Sequence, residues 1–392
     1  MVTYAIKPEL SRARGAVTLA FLVHGMLSAA WVARIPQIKE RLELSDGELG
    51  LALLGAPVGL AVAVRLAGRT VGSRGSRATT IGAGVASALS LVPLGLAWNL
   101  PILVVSLAAL GASLGLMDVA MNAQGVALER EYGRPLLSGL HGFYSIGTLV
   151  AALAGAAAAH LHVPVAAHFG VAAVVMVSLL LACRHRLLDP SVDAAPRPVD
   201  AVDRGPAVKA GRWTLVLLGV ICLCSFVGEG AMADWSAVYL RETLDTGPGV
   251  AGLGYAGCAI AMAAGRLAGD RVVARFGAVR VLRVGSMIAG LGLALGLLAE
   301  HPAAAVAGFT LFGLGAAPVA PVTFSAAGNL PGVPAANGIS RVTGVGYLGL
   351  LAGPPVIGFV AQGVGQTWAL AVPAALAVMI VLFAGAARTA AP

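Results

Sequence analysis

Residues 65–74 of the chain read RLAGRTVGSR, and residues 266–275 read RLAGDRVVAR. The two segments share their first four residues and an arginine at the tenth position. Each follows an apolar run that stands second in its half of the chain. Chance could supply four matching residues in a sequence rich in alanine, leucine and glycine. Recurrence at the same place in both halves indicates an internal repeat instead.

The composition is that of an integral membrane protein. Of the 392 residues, 58% are hydrophobic and 11% are charged, whereas an ordinary soluble domain has about 25% charged residues. A soluble protein of this composition would lack the polar residues needed to cover its surface. We therefore exclude a soluble enzyme and a disordered scaffold, and we expect the chain to be embedded in a lipid bilayer.

The net charge of +8 does not indicate binding to nucleic acid, because the basic residues lie in short gaps between apolar runs. The four cysteines form no CxxC pair. The sequence also has no nucleotide-binding loop, no metal-ligating cluster and no catalytic triad. We therefore expect no cofactor, no bound metal and no catalytic residues.

The apolar runs predict an all-α protein with twelve transmembrane helices. About 20 apolar residues are needed for one crossing, and charged residues, prolines and polar loops divide the chain into twelve runs of that length. Two parallel repeats of six helices are typical of transporters with a binding site near the midplane, at the repeat interface. The predicted helices are 15–35, 47–67, 78–98, 101–124, 137–159, 164–183, 212–235, 249–268, 279–299, 303–325, 337–360 and 366–387.

The distribution of basic residues predicts the orientation. Twenty-one of the 26 lysines and arginines fall on one side of the predicted membrane, four fall on the other, and Arg341 lies within a helix. The basic side is expected to be cytoplasmic, which places both termini inside the plasma (inner) membrane. The longest polar stretch, 184–211, predicts a cytoplasmic linker between two six-helix bundles at 1–183 and 212–392.

The pattern resembles the major facilitator superfamily over essentially the whole chain. The loop signature of that family runs roughly G-x-L-A-D-R-x-G-R-R, and residues 68–77 fit its frame. Gly72 stands where the family usually has aspartate, and in the second half Asp270 directly follows Gly269. The resemblance implies alternating access in a monomer, gated by loops that meet the opposite half. The residues assigned to these loops are Gly68, Arg74, Gly75, Arg77, Gly269, Asp270 and Arg275.

Two shorter segments resemble the fucose-permease-like branch of the family. The residues at 118–122 read DVAMN and match its acidic-x-Ala-x-Asn segment, and those at 141–144 read HGFY and match its His-aromatic start of helix 5. The proline-bearing signature of drug/proton antiporters is absent from 137–159. The resemblance therefore favours uptake over efflux.

Polar residues inside the predicted helices are the candidate site residues, because charge at membrane depth is costly and normally faces a cavity or a partner. Asp118 is the first candidate for proton coupling, with His141 and Arg341 at similar depth as possible partners. Glu229 is the second; His24 is its only evident cation, so an interaction with substrate is favoured for it. The predicted substrate-binding residues are His24, Asn122, His141, Glu229, Asn337 and Arg341.

These patterns predict a secondary transporter that couples protons to a small polar solute, such as a sugar or sugar-like metabolite. A proton-driven exporter of drugs or secondary metabolites is the alternative within transport. A membrane receptor that does not transport is disfavoured, because the predicted loops leave no room for a signalling domain.

The asymmetry of basic residues gives a topological prediction. A single cysteine at Ser73 is expected to react with an impermeant thiol reagent only from the cytoplasmic side, and one at Glu43 only from outside. Labelling in sealed cells and in inverted vesicles measures both. Labelling of residue 73 from outside would overturn the orientation.

Overall fold

A computed structural model describes residues 8–44, 46–193, 204–246 and 248–390, and these ranges contain fifteen α-helices and no β-strand. The helices are α1 (Pro8–Ala29), α2 (Ile35–Arg41), α3 (Asp46–Leu53), α4 (Gly55–Arg74), α5 (Ser76–Leu96), α6 (Leu100–Tyr132), α7 (Leu137–His160), α8 (Val165–Cys183), α9 (Arg204–Val238), α10 (Pro248–Phe276), α11 (Ala278–Leu298), α12 (Pro302–Ala316), α13 (Val319–Gly328), α14 (Ala335–Val364) and α15 (Gln366–Phe383).

The all-α fold class is confirmed, and each of the twelve predicted runs coincides with a long helix or a broken pair. Ten helices in the described ranges are long and apolar enough to cross a membrane. The two remaining long helices, α1 and α10, carry several charged residues each. A bilayer favours an all-helical chain, because an unpaired backbone amide in hydrocarbon costs several kcal/mol. A helix pairs all of its backbone amides and carbonyl groups except those at its ends.

Several boundaries differ from the prediction by six or more residues, such as the end of α6 at Tyr132 instead of 124 and the end of α10 at Phe276 instead of 268. Two of the differences have local reasons. The second run begins at residue 55 instead of 47, because the polar start of the predicted span folds as the separate short helix α3. The tenth run is interrupted between Ala316 and Val319, where Pro318 lies. Proline lacks the amide hydrogen that would continue the helix and crowds the preceding turn.

The chain forms two compact units. The first comprises Met1–Tyr132, Phe143–Ala194 and Pro334–Ser340, and the second comprises Gly133–Gly142, Ala195–Val333 and Arg341–Pro392. The start of α7 thus belongs to the second unit and the start of α14 to the first. The predicted linker 184–211 is partly outside the described residues, at 194–203, and α9 already begins at Arg204. The predicted domain boundaries stay a prediction.

The repeat is visible in the turns that follow the RLAG segments. Gly75 ends α4 with φ +81°, and Gly277 ends α10 with φ +80°. The amide of each glycine donates to the carbonyl oxygen four residues earlier, of Val71 and Val273 respectively, over 2.8 Å. Positive φ is unfavourable for residues with a Cβ, so the same glycine turn links two helices at equivalent places.

Close helix crossings organise each unit. A Cβ on Gly111 of α6 would lie 1.9 Å from the carbonyl oxygen of Ala56 in α4, and one on Gly313 of α12 would lie 2.2 Å from that of Cys258 in α10. Small residues allow such backbone contact, which replaces the hydrophobic driving force that lipid removes. These crossings hold α6 and α10, which carry the candidate site residues.

Candidate functional site

Asp118 and Asn122 form a buried pair on α6 in the first unit. The Nδ2 group of Asn122 donates to Oδ1 of Asp118 over 3.1 Å and to the main-chain oxygen of Asp118 over 2.9 Å. Asp118 is 6% exposed and Asn122 is fully buried. The spacing of four residues places them one turn apart on one face. Within the described part of the chain, Oδ1 of Asn122 has no hydrogen-bond partner, so it can accept a further donor.

His24 of α1 contacts α6 at Leu114, four residues before Asp118. Its Nε2 atom is 3.3 Å from the carbonyl oxygen of Leu114 on α6, and its ring centre is 5.5 Å from that of Tyr144 on α7. His24 is buried, and its Nδ1 atom finds no partner among the described residues. His24 therefore joins α1 to α6 while leaving one ring nitrogen for a ligand.

Glu229 is ion-paired to Arg266, the first residue of the second RLAG segment. Nη2 of Arg266 lies 3.2 Å from Oε2 of Glu229, and Ser225 donates to Oε1 over 3.1 Å. The expectation that His24 is the only cation for Glu229 is wrong. Both carboxylate oxygens of Glu229 are engaged within the second unit.

The position of Arg266 on α10 explains why it was missed. Arg266 precedes the end of α10 at Phe276 by ten residues, about 15 Å along the axis, and is 7% exposed. Its counterpart in the repeat, Arg65, is exposed. The matching RLAG segments give no sign of this difference. The signal that separates them is the intramembrane Glu229, which requires a cation.

Two residues predicted for the gating loop of the second half contact the start of α7. Oδ2 of Asp270 accepts a hydrogen bond from the amide of Gly139 over 2.9 Å. A Cβ on Gly269 would lie 2.7 Å from Cβ of Ser138. The first amides of a helix have no intrahelical acceptor and favour a negative charge. The displaced aspartate therefore acts as a cap of α7, within the second unit.

The first unit contains a matching contact at the start of α14. Oδ1 of Asn337 lies 2.2 Å from the position a Cβ on Gly68 would take, and the hydroxyl of Ser340 donates to the carbonyl oxygen of Val64. Asn337 thus packs against α4. We call these contacts the gating contacts. They are Gly68–Asn337 and Ser340–Val64 in the first unit, and Asp270–Gly139 and Gly269–Ser138 in the second unit.

The remaining predicted residues lie close to these contacts. Nδ1 of His141 is 2.9 Å from the carbonyl oxygen of Leu137, and its ring centre is 5.8 Å from that of Phe324. Arg341 is exposed in the second turn of α14. The pairing of Asp118 with His141 or Arg341 stays a prediction. The other arginines of the predicted loops, Arg74, Arg77 and Arg275, are exposed or half-buried near helix ends.

No family model matches the chain, but curated relatives do. It is 38% identical over 359 residues to an uncharacterised MFS-type transporter of Yersinia pestis, covering 91% of each protein. The chain belongs to the major facilitator superfamily. It is also 34% identical over 346 residues to an uncharacterised transporter of Sinorhizobium fredii, covering 88% of this chain and 90% of that protein. The membrane protein MosC of Rhizobium meliloti is 31% identical over 369 residues, covering 93% and 88%.

Solved structures of the superfamily share the fold. The fucose:proton symporter FucP of E. coli superposes with a TM-score of 0.74 at 17% identity, over 95% of this chain and 97% of that one. The proton:xylose symporter XylE gives 0.71 at 14% identity, over 95% and 94%. The human organic anion transporter TETRAN gives 0.76 at 16% identity, over 97% and 100%. These neighbours place the chain in the twelve-helix, two-domain fold of the major facilitator superfamily.

The Glu229–Arg266 pair of this superfamily member predicts non-additive stability. Breaking a buried ion pair costs roughly 3–5 kcal/mol because one charge stays buried and unpaired. Since Glu229 is 22% exposed, we expect Glu229→Gln and Arg266→Gln each to cost about 3 kcal/mol. The double variant should recover most of the loss. Thermal unfolding of detergent-solubilised protein measures all three, with Glu131→Gln at the exposed end of α6 as control. Equal losses that simply add would contradict the pair.

Proposed function

We propose that this transporter of the major facilitator superfamily is a proton-coupled symporter for a small polar solute, such as a sugar or sugar-like metabolite. The observation that carries the proposal is the buried Asp118–Asn122 pair, an acid and an amide one turn apart on α6. The structural neighbours FucP and XylE are proton symporters of fucose and xylose by name. Their sequence identity to this chain is low, so the proposal depends on the pair itself.

We assign the coupling proton to Asp118. The amide of Asn122 donates to Oδ1 of Asp118, and Oδ1 can accept this bond whether or not the carboxyl group carries a proton. Burial makes the charged form costly, which favours a group that takes and releases a proton as its access to water changes. Glu229 differs, because Arg266 lies 3.2 Å from its Oε2 atom.

Each unit by itself presents donors and acceptors for the proposed solute. The first unit offers Nδ1 of His24 and Oδ1 of Asn122, both buried and without partners among the described residues. The second unit offers the Glu229–Arg266 pair, in which a carboxylate and a guanidinium stand side by side. A carboxylate acceptor beside a guanidinium donor can hydrogen-bond to the hydroxyl groups of a polyol or sugar. His141, Asn337 and Arg341 complete the proposed set.

The proposed setting is the plasma membrane, with both termini in the cytoplasm and a monomer as the transporting unit. The basic ends of α4 and α10 carry most of this proposal, because positively charged loops are retained inside.

Transport by reconstituted protein tests the coupling. In proteoliposomes with an imposed inward proton gradient, we expect accumulation of at least one solute from a labelled panel of fucose, xylose and inositol. Asp118→Asn keeps the shape of the side chain but cannot titrate. It should abolish accumulation against a gradient while retaining exchange of labelled for unlabelled solute.

The control for this experiment is Asp189→Asn, in the loop after α8, which should transport normally. Accumulation that requires the opposite proton gradient would favour the exporter. If Asp118→Asn still accumulates solute and Glu229→Gln does not, the proton belongs to Glu229.

The gating contacts give a kinetic prediction. Replacing Asp270 with asparagine removes the negative charge at the start of α7, an interaction worth up to about 2 kcal/mol. If this contact forms and breaks in each cycle, Asp270→Asn should lower the turnover rate about tenfold, since tenfold corresponds to about 1.4 kcal/mol. Solute affinity should change only a few fold. Counterflow rates and equilibrium binding measure the two quantities.

Asn99 offers a control, because its Oδ1 accepts from the amide of Ile102 at the start of α6 over 3.0 Å. Asn99→Ala removes a helix cap outside the predicted gating loops and the gating contacts, and its turnover should stay near that of the unaltered protein. Equal slowing by both variants would show a general loss of helix stability and contradict the gating role of Asp270.

A further inference from the structure

A cavity of about 450 Å³ lies in the second unit between α10, α11 and the end of α12. Small residues leave this space open: Gly265, Ala268 and Gly269 line it from α10, and Gly285 lines it from α11. On the third side lies Pro318, where the break between α12 and α13 turns the chain. The volume is in the range that holds small organic ligands.

The cavity opens outward through apolar side chains. Val272, Phe276, Val284, Ile288 and Leu314 all line it, and each is between 39% and 50% exposed. A cavity with such walls offers almost nothing to a sugar or to water. On the surface of a transmembrane helix bundle, the molecules that meet it are lipids, whose acyl chains gain by filling an apolar cleft.

One end of the cavity is cationic. Among the described residues that line it, Arg280 in the first turn of α11 is the charged one. The guanidinium of the neighbouring Arg275 packs 5.4 Å from the centre of the Phe276 ring, which is part of the wall. Arg271 and Arg283 follow on α10 and α11.

The negative charge nearest to these arginines in sequence is already engaged. Asp270 directs Oδ2 to the amide of Gly139, as described for the gating contacts. The turn between α10 and α11 therefore presents an excess of positive charge beside an apolar cleft. Guanidinium groups bind phosphate oxygens strongly, and basic pockets between transmembrane helices bind anionic lipid headgroups.

We propose that this cavity is a binding site for an anionic phospholipid, with an acyl chain between α10 and α11 and the phosphate at Arg280. The apolar walls match the acyl chain of such a lipid, and the cationic end matches its phosphate. The site is separate from the residues proposed to bind solute and proton, and it requires no transport.

Native mass spectrometry of the purified full-length protein tests the proposal. The probes are palmitoyl-oleoyl phosphatidylglycerol and the corresponding phosphatidylcholine, added at equal concentration without solute. We expect preferential retention of phosphatidylglycerol. Arg280→Gln should weaken it about fivefold, the effect of one basic residue near an anionic surface. Ala268→Phe should fill the cleft and reduce retention at least as much.

Two matched variants serve as controls: Arg212→Gln removes an exposed arginine in the third turn of α9, and Ala264→Phe adds a ring to an exposed position of α10 that does not line the cavity. Neither should change retention. Arg280→Gln alters an exposed side chain, so it keeps the test decisive even if Ala268→Phe fails to fold.

Three results would overturn the proposal. Equal retention of the two lipids would remove the role of charge, as would a loss with Ala268→Phe but not with Arg280→Gln. Losses no larger than those of the controls would place the lipid elsewhere. A dimer of the unaltered chain that Ala268→Phe dissociates would show that a second copy occupies the cleft instead.

Discussion

The cost of placing charge in hydrocarbon governs how the candidate site is built. An ion there loses the solvation of water, and the protein must replace it with hydrogen bonds or an opposite charge. The second unit uses an opposite charge, Arg266 against Glu229, with Ser225 on the other carboxylate oxygen. In the first unit the amide of Asn122 donates to Asp118.

The same constraint acts on the backbone and explains the repeated use of glycine. Helices that are surrounded by lipid associate through close packing, so glycines at crossings such as Gly111 let backbones touch. Gly75 and Gly277 serve a different purpose, since each turns the chain between two helices with positive φ. The repeat detected in the sequence is therefore a repeat of turns and contacts, and it preserves backbone geometry more strictly than side-chain chemistry. Arg65 is exposed where Arg266 is buried, on equivalent helices.

The sequence predicts the helices well because their length is set by bilayer thickness, a property of the surroundings that a count of apolar residues captures. It predicts less well where local chemistry interrupts a run, as at Pro318 and at the polar start of the second run. The sequence did not predict the partners of the site residues. Arg266 and Glu229 are far apart in the chain, and only the packing of α10 against α9 brings them together. The capping of α7 by Asp270 depends in the same way on which helix start lies beside it.

The arrangement of α10 joins the ion pair to the gating contact mechanically. Arg266 and Asp270 are four residues apart, so they lie one turn apart on one face of a rigid helix, at a separation of about 6 Å along the axis. Arg266 is held by Glu229 of α9, and Asp270 is held by the amide of Gly139 at the start of α7.

A ligand that draws Glu229 away from Arg266 changes the forces on α10 one turn from the contact with α7. A helix carries such a displacement along its length, because it cannot bend within one turn without losing hydrogen bonds. The first unit has its gating contact on α4 but only an exposed arginine at the position of the ion pair. Under the function proposed above, sensitivity to the charge of the solute would therefore be assigned to the second unit, and sensitivity to the proton to Asp118 in the first.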